Sequence, residues 1–333
     1  MNKVLVTGGL GIIGTVLCRS LLATSRQPVI YDLGVDTTLM RDIAADCVIE
    51  RGNVCDLPRL MGVVLQHKPA AIVHLAGLVG PATERHPWSS IDTNLIGTTT
   101  VFEAARLAGI QRIVFPSSRQ VYGPVAQRHR HPVYEPVPEE HPREPLILYG
   151  KLKRMCEDVA DHYARLYGLH IIALRFGSAF GPGGIGLDAK PRDSSGQVSP
   201  VQGLIEAAIA NRPFRVARGA EQSDDLCYSG ESANGLIAAL DSAPQPGKFC
   251  AYNIASGELI SLAGIIAVLE SLYPSWKGEA GPGLDYRGLG PGYYFRMAIQ
   301  KAKAELGFSP RFDFRRAVID YAETLERLKR KVS

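Results

Sequence analysis

The chain has 333 residues, 46% hydrophobic and 21% charged, the make-up of a folded protein with enough apolar surface to offset chain entropy. Its 37 Lys and Arg stand against 33 Asp and Glu with no basic block, so nucleic acid is not an expected partner. No run of about 18 uncharged apolar residues occurs, which argues against a membrane span.

In chain order, β-rich apolar runs at 3–7, 28–32, 47–50, 71–75, 112–117 and 170–176 predict buried strands. Stretches with three-to-four apolar spacing at 12–24, 57–67, 91–108 and 149–167 predict helices between them. Alternation of this kind implies right-handed crossovers and a parallel sheet covered on both faces. After residue 176 the rhythm breaks into a Gly-, Pro- and Ser-rich stretch at 181–199, read as a lid or linker. Shorter elements follow: helices at 201–211, 231–241, 262–272, 298–306 and 314–329, and strands at 226–229 and 251–254. The proline-rich stretch 125–145, with Arg128-His129-Arg130-His131, reads as a long exposed loop.

Six cysteines (Cys18, Cys47, Cys55, Cys156, Cys227, Cys250) form no CxxC pair and no zinc-spaced cluster with histidine, so reduced thiols, no metal and a cytoplasmic setting are expected. The apolar N-terminal run is broken by Gly8, Gly9, Gly11 and Gly14, which suits a first strand and helix better than an export signal.

Those glycines lie between a strand and a helix and fit both G-x-x-G-x-x-G and, from Gly9, G-x-G-x-x-G. Glycine lets the backbone turn tightly against a pyrophosphate, and the helix N-terminus presents unpaired N–H groups to the anion. Asp32 ends the second predicted strand, 18 residues after Gly14, where a carboxylate accepts from both hydroxyls of an adenosine ribose. A 2′-phosphate there meets a like charge and no Arg immediately follows, so NAD is favoured over NADP. Further along, Tyr149 and Lys153 share one helical face. An ammonium about 4 Å from a phenolate contributes roughly 4 kcal/mol at an effective dielectric of 20, enough to lower the phenol pKa by two to three units. Ser118 ends a strand at the carboxyl edge of the sheet, where it can bond a substrate oxygen and share a proton with Tyr149.

Together these motifs resemble the extended short-chain dehydrogenase/reductase family, in its NAD-dependent epimerase/dehydratase branch. The likeness rests on the turn at 7–14, His74-Leu75-Ala76-Gly77, Asn94 in Asp92-Thr93-Asn94, Ser117-Ser118 with Val121-Tyr122-Gly123, the Tyr149/Lys153 pair, and Leu174-Arg175-Phe176 before Phe180-Gly181-Pro182. The resemblance implies a Rossmann-type doubly wound parallel sheet with a smaller α/β C-terminal substrate lobe. Residues 1–176 would form the NAD-binding domain, with 223–245 returning to it, and 177–333 the lobe. It makes Tyr149 the general acid/base, Lys153 the residue that holds the ribose and lowers the tyrosine pKa, and Ser118 the residue that orients the substrate hydroxyl. It places the pyrophosphate on Gly8, Gly11, Ile12, Ile13 and Gly14, the ribose on Asp32, and adenine near Asn53 and Val54. Leu75, Ala76, Gly77, Asn94 and Phe176 would line the cofactor.

Three departures bear on the substrate. Arg119 and Gln120 follow Ser118 where 4,6-dehydratases carry an Asp-Glu pair, so elimination of water is not expected. Gln222-Ser223-Asp224-Asp225-Leu226 resembles a Gln-Thr-Arg-Asp-Phe segment with its diphosphate-clamping arginine replaced by Asp224, and Ser178 stands where asparagine is common. Arg85, Arg119, Arg218, Arg287 and Arg296 are the candidate substitute clamps, with Ser178 a further substrate contact. The expected activity is oxidation of a secondary alcohol of a sugar or nucleotide sugar through a keto intermediate, as in a 4-epimerase. The alternatives are an NAD-dependent dehydrogenase of a small polyol, sugar acid or hydroxy acid, and a non-catalytic NAD-sensing regulator. A homodimer through the helices at 91–108 and 149–167 is expected.

Overall fold

The structure is a computed structural model and describes residues 2–183 and 199–329. In chain order the first half comprises β1 (Lys3–Thr7), α1 (Ile12–Ala23), β2 (Gln27–Asp32), β3 (Val48–Arg51), α2 (Leu57–His67) and β4 (Ala71–His74). It continues through α3 (Pro81–Arg85), α4 (Pro87–Ile91), α5 (Gly97–Ala108), β5 (Arg112–Ser118), α6 (Leu148–Tyr167) and β6 (His170–Phe176). The second half comprises β7 (Ser178–Phe180), α7 (Pro200–Ile209), β8 (Arg215–Val216), β9 (Ser223–Tyr228), α8 (Ser229–Asp241) and β10 (Phe249–Ile254). It closes with β11 (Leu259–Ser261), α9 (Leu262–Leu272), β12 (Glu279–Ala280), α10 (Gln300–Leu306) and α11 (Phe314–Lys329).

Seven strands form one parallel sheet in the order β10-β6-β5-β4-β1-β2-β3. The order reverses between β1 and β4, and the crevice at the carboxyl ends of those strands is where such sheets bind ligands. Strands buried on both faces read as unbroken apolar runs: β6 is buried at all seven positions. On one side β1, β2, β6 and β10 pack with α1 and α8 through Val6, Leu17, Leu21, Ile30, Leu174, Leu236 and Ile254. On the other, α2, α5 and α6 close over Leu5, Ile72, Phe102, Ile113 and Ala160. Asp56 caps α2 by accepting from the Arg59 amide, and α6 ends on Gly168 at φ 71°, so both helices have local start or stop signals.

The smaller lobe is built on a three-stranded sheet, β11-β9-β7, covered by α7, α9 and α11 around Leu204, Tyr228, Leu262, Trp276 and Tyr321. The chain returns to the large sheet through α8, which packs on α1, and β10, which pairs with β6. Strand β9 itself stays in the lobe beside β7, so the return spans residues 229–254 rather than 223–245. The lid or linker expected over 181–199 lies outside the described residues from 184 to 198.

Two local expectations change. The helix expected at 91–108 contains a π-helical turn at Asp92–Ile96 between α4 and α5. The stretch 125–145 is not a free loop: Val125 and Val137 are buried with Phe295 and Met297, and Val137 bridges Met297. His129 is buried, with its Nδ1 at 2.8 Å from the Glu135 carbonyl. Apolar residues along this stretch dock it onto the 292–299 segment, which outweighs its turn-rich composition.

Candidate active site

At the head of β1 the glycine turn is shaped by contacts that leave no room for side chains. Gly8 has φ +67° and donates to the Tyr31 carbonyl at 2.9 Å; a Cβ there would lie 2.6 Å from the Ala76 nitrogen. A Cβ on Gly14 would lie 2.6 Å from the Gly9 Cα, so α1 can start hard against the turn only with glycine there. Gly11 is the N-cap of α1 and supplies no side-chain cap, leaving the first-turn amides of Ile12 and Ile13 available to an anion. Asp32 accepts the Leu10 amide at 3.1 Å and the Gly34 amide at 3.1 Å, which fixes a carboxylate beside the turn. This cradle fits a dinucleotide pyrophosphate with an adjoining ribose.

Around it lie the other expected cofactor positions. Val54 is buried, and Asn53 is exposed, with Oδ1 accepting the Cys55 amide at 3.0 Å. Leu75, Ala76 and Gly77 follow β4 directly across from Gly8. Asn94, almost fully buried in the π-helical turn, accepts the Leu78 amide at 2.7 Å and donates to its carbonyl at 2.8 Å, clamping the loop after Gly77. A Cβ on Gly77 would meet that same Asn94 oxygen at 2.9 Å. The extra residue of the π-turn thus aims an amide at the loop that flanks the cofactor cradle. Below it His74 is locked neutral: burial lowers its pKa to about 3, and its ring nitrogens lie 2.7 Å from Thr7 Oγ1 and 3.0 Å from Thr98 Oγ1.

Ser118, Tyr149 and Lys153 converge at the carboxyl edge of β5 and the start of α6. Ser118 sits abreast of Phe176 in the sheet and accepts the Gln120 amide at 3.2 Å. The Ser118 hydroxyl lies close enough to the Tyr149 phenol to lower its pKa. Lys153 is buried, its Nζ donating to the Pro116 carbonyl at 2.8 Å and standing 5.9 Å from the centre of the Tyr149 ring. The expected acidic phenol is not found in this arrangement. Burial raises the Tyr149 pKa to about 12, and the Ser118 hydroxyl only partly opposes it. The physical reason is placement: the ammonium is engaged with a backbone carbonyl and not with the phenol oxygen. Burial also holds the Lys153 pKa below the ordinary amine value.

The charged residues separate sharply. Arg119, next to Ser118, is buried, with both terminal nitrogens engaged and Nε without a partner among the described residues. Its Nη1 donates to Ser178 Oγ at 2.9 Å and Asp224 Oδ1 at 2.5 Å, its Nη2 to the carbonyls of Tyr293 at 2.8 Å and Phe295 at 3.2 Å, and its Cζ lies 4.0 Å from the Phe295 ring centre. As a clamp for a substrate anion Arg119 is therefore corrected to an internal tie: its guanidinium joins the catalytic edge to the lobe, and Asp224 is its counter-ion. Ser178 likewise donates to Asp224 Oδ2 at 2.6 Å and accepts from Arg287 Nη1 at 2.8 Å. Arg218 is bound to Asp285, and Arg296 to the Gly257 carbonyl. Arg85 is exposed on α3, beside Glu84, whose Oε1 accepts the Tyr149 amide at 3.2 Å. Glu84 and the Asp224 counter-ion role escaped the sequence reading, because both depend on contacts across long separations. Among the described residues no group of three or more His, Cys, Asp or Glu is arranged to hold a metal ion, and all six cysteines are free thiols. No helix among the described residues is long and apolar enough to cross a membrane.

The profile of the NAD dependent epimerase/dehydratase family matches residues 4–255, spanning the glycine turn, the Ser118–Tyr149–Lys153 set and the return strand β10. The chain belongs to that family. Membership makes it an NAD-dependent enzyme of the extended short-chain dehydrogenase/reductase type. It is 29% identical over 320 residues to the UDP-glucose 4-epimerase of Rhizobium meliloti, covering 94% of this chain and 93% of that protein. It is 28% identical over 322 residues to the UDP-glucose 4-epimerase of Rhizobium leguminosarum bv. trifolii, covering 94% of each. Among solved structures, the Brucella ovis UDP-glucose 4-epimerase in complex with NAD superposes with a TM-score of 0.80 at 23% identity, over 98% of both chains. The Thermotoga maritima UDP-glucose 4-epimerase with UDP-glucose superposes with a TM-score of 0.79 at 21% identity, over 98% of this chain and 99% of that one.

Proposed function

We propose that this family member interconverts epimers at a secondary carbon, C4 by analogy with its relatives, of a nucleotide-activated sugar. The observation that carries the reading is the convergence of Ser118, whose hydroxyl lowers the Tyr149 pKa, with Tyr149 and with Lys153 one turn on, at the carboxyl edge of the sheet where the glycine cradle opens. Ser118 orients the sugar hydroxyl, Tyr149 takes its proton, and Lys153 holds the adjoining ribose hydroxyls and a positive charge near the phenol. When bound, NAD supplies the hydride acceptor and donor. After the keto sugar has turned the opposite face of that carbon toward the hydride donor, Tyr149 returns the proton to the carbonyl oxygen. Because burial raises the phenol pKa to about 12, proton removal needs the positive charge of Lys153 close by, and that requirement makes Lys153 part of the acid–base unit.

The buried Arg119–Asp224 pair favours one second reading, net dehydrogenation of a smaller sugar acid or polyol, since neither residue is available to a diphosphate. The two are separated by incubating the enzyme with UDP-glucose and with a panel of sugar acids in NAD. Interconversion to UDP-galactose without net NADH supports the epimerase; stoichiometric NADH from a sugar acid overturns it. Tyr149→Phe abolishes either activity while leaving NAD affinity unchanged; full turnover by that variant removes Tyr149 from the mechanism. We also propose a homodimer through α5 and α6, because Leu107, Met155, Leu166 and Tyr167 are exposed apolar residues on that pair of helices and Ile96 is exposed on the π-helical turn before α5. Light scattering measures the mass directly, and a monomer at micromolar concentration rejects the dimer.

A further inference from the structure

Behind the Ser118–Tyr149–Lys153 set lies a fourth group on the same helix. Residues 149, 153 and 157 advance about 40° per step around α6 and so occupy one face over two turns. Each meets a successive residue of β5. Lys153 Nζ donates to the Pro116 carbonyl at 2.8 Å, Glu157 Oε1 accepts from Ser117 Oγ at 2.6 Å, and the Tyr149 phenol faces the Ser118 hydroxyl, which lowers its pKa. The carboxylate of Glu157 is fully buried and saturated. It receives Arg175 Nε at 2.9 Å and Nη2 at 2.7 Å from β6, and Arg143 Nη1 at 2.9 Å from the segment before α6. Arg175 continues to the Tyr122 hydroxyl at 2.9 Å and the Glu139 carbonyl at 2.8 Å, so the anchor reaches the turn after Ser118 as well.

We infer that Glu157 is a positioning residue for the reaction, fixing Ser117–Ser118 against α6 and sustaining the charge of Lys153. The inference rests on the roles proposed above for Tyr149 and Lys153. Its electrostatic half follows from what surrounds the two groups. Lys153 faces neutral His74 from β4 and Tyr149, Cys156 and Glu157 on its own helix, and among these Glu157 is the carboxylate counter-charge. Burial lowers the Lys153 pKa, and Cys156 and then Glu157 oppose that fall. Glu157 faces two arginines, Arg175 and Arg143; burial would raise its carboxyl, but Arg175 above all holds it below the ordinary glutamate range. It therefore stays ionised across the working pH. Its geometric half is the Ser117 bond: loss of that bond frees the end of β5, and a displacement of about 1 Å at Ser118 costs up to roughly a hundredfold in rate.

The test separates charge from reach. Glu157→Gln keeps the length but not the charge, and the pH at which NAD affinity falls, measured by calorimetry from pH 7 to 10.5, is expected to move down by about one unit. Glu157→Asp keeps the charge but not the reach; it is expected to leave that midpoint in place and to lower kcat at least tenfold with KM within about twofold. Ser117→Ala removes one contact with no change of charge and is expected to lower kcat with the NAD midpoint unchanged. If Glu157→Gln leaves both the midpoint and kcat at the wild-type value, Glu157 is a packing residue and the inference falls. Should the Glu157 variants not fold, Ser117→Ala alone decides, and a wild-type kcat overturns it. The NAD midpoint needs no sugar substrate, so a wild-type protein inactive on UDP-sugars defeats the substrate reading while leaving the charge test intact.

Discussion

The sharpest test of the charge arrangement is to remove one member of the Arg119–Asp224 pair. The two side chains are 4% and 0% exposed, so solvent screens their attraction little, and Asp224→Asn leaves a buried guanidinium facing neutral amide groups. Arg287 Nη1, 3.5 Å from the other oxygen of Asp224, loses part of its compensation at the same time. Breaking a buried pair from one side costs about 3–5 kcal/mol. With an unfolding entropy near 2.1 cal/mol/K per residue, a chain of this length loses about 4–7 °C in Tm. Replacing both partners by apolar residues, Arg119→Met with Asp224→Leu, should recover part of the loss, because no charge is then left buried alone. Recovery stays incomplete, since the Tyr293 and Phe295 carbonyls lose the donors that Arg119 gave them. Differential scanning calorimetry of the wild type, Asp224→Asn, Arg119→Met, Asp224→Leu and the Arg119→Met/Asp224→Leu double variant closes the cycle. A Tm for Asp224→Asn within 1 °C of the wild type would refute the reasoning, and so would a double variant with the summed loss of the singles.

Further outcomes follow from the same geometry. Gly8→Ala forces a Cβ to 2.6 Å from the Ala76 backbone at φ +67°, so NAD affinity should fall at least tenfold by calorimetry, and unchanged affinity would mean the turn does not touch the cofactor. Asp225, fully buried and accepting from Met297, Ser256 and Gly257, has its pKa raised to about 7, chiefly by burial. The folded state thus holds this proton to higher pH than the unfolded chain, whose value is about 3.9, and the resulting stability is complete below about pH 4 and lost as pH rises toward 7. Thermal scans should accordingly show the wild type losing Tm relative to Asp225→Asn across that window; parallel pH profiles for the two would contradict it.

Much of the architecture was readable in the chain because it rests on local signals. Strand runs without polar interruption, glycines between a strand and a helix, and an acid ending the second strand each follow from backbone geometry within about 30 residues, and β1, α1 and β2 lie where those signals put them. The Tyr149–Lys153 spacing guarantees a shared helical face whatever the surroundings. Electrostatics did not follow in the same way. The phenol pKa depends on where the Lys153 ammonium points, and a carbonyl 37 residues away claims it.

Sequence alone therefore determined the doubly wound sheet, the cofactor class and the residue types at the reacting edge, since periodicity and turn chemistry are properties of neighbours in the chain. Tertiary structure decided which charges are available. Arg119 reads from its position as a hand for a substrate anion, yet packing places Asp224, 105 residues further on, against it. The same packing gathers Glu157, Ser117, Arg143 and Arg175 into one buried cluster. Long-range Coulomb pairing selects its partners in space, and no spacing rule along the chain encodes that choice.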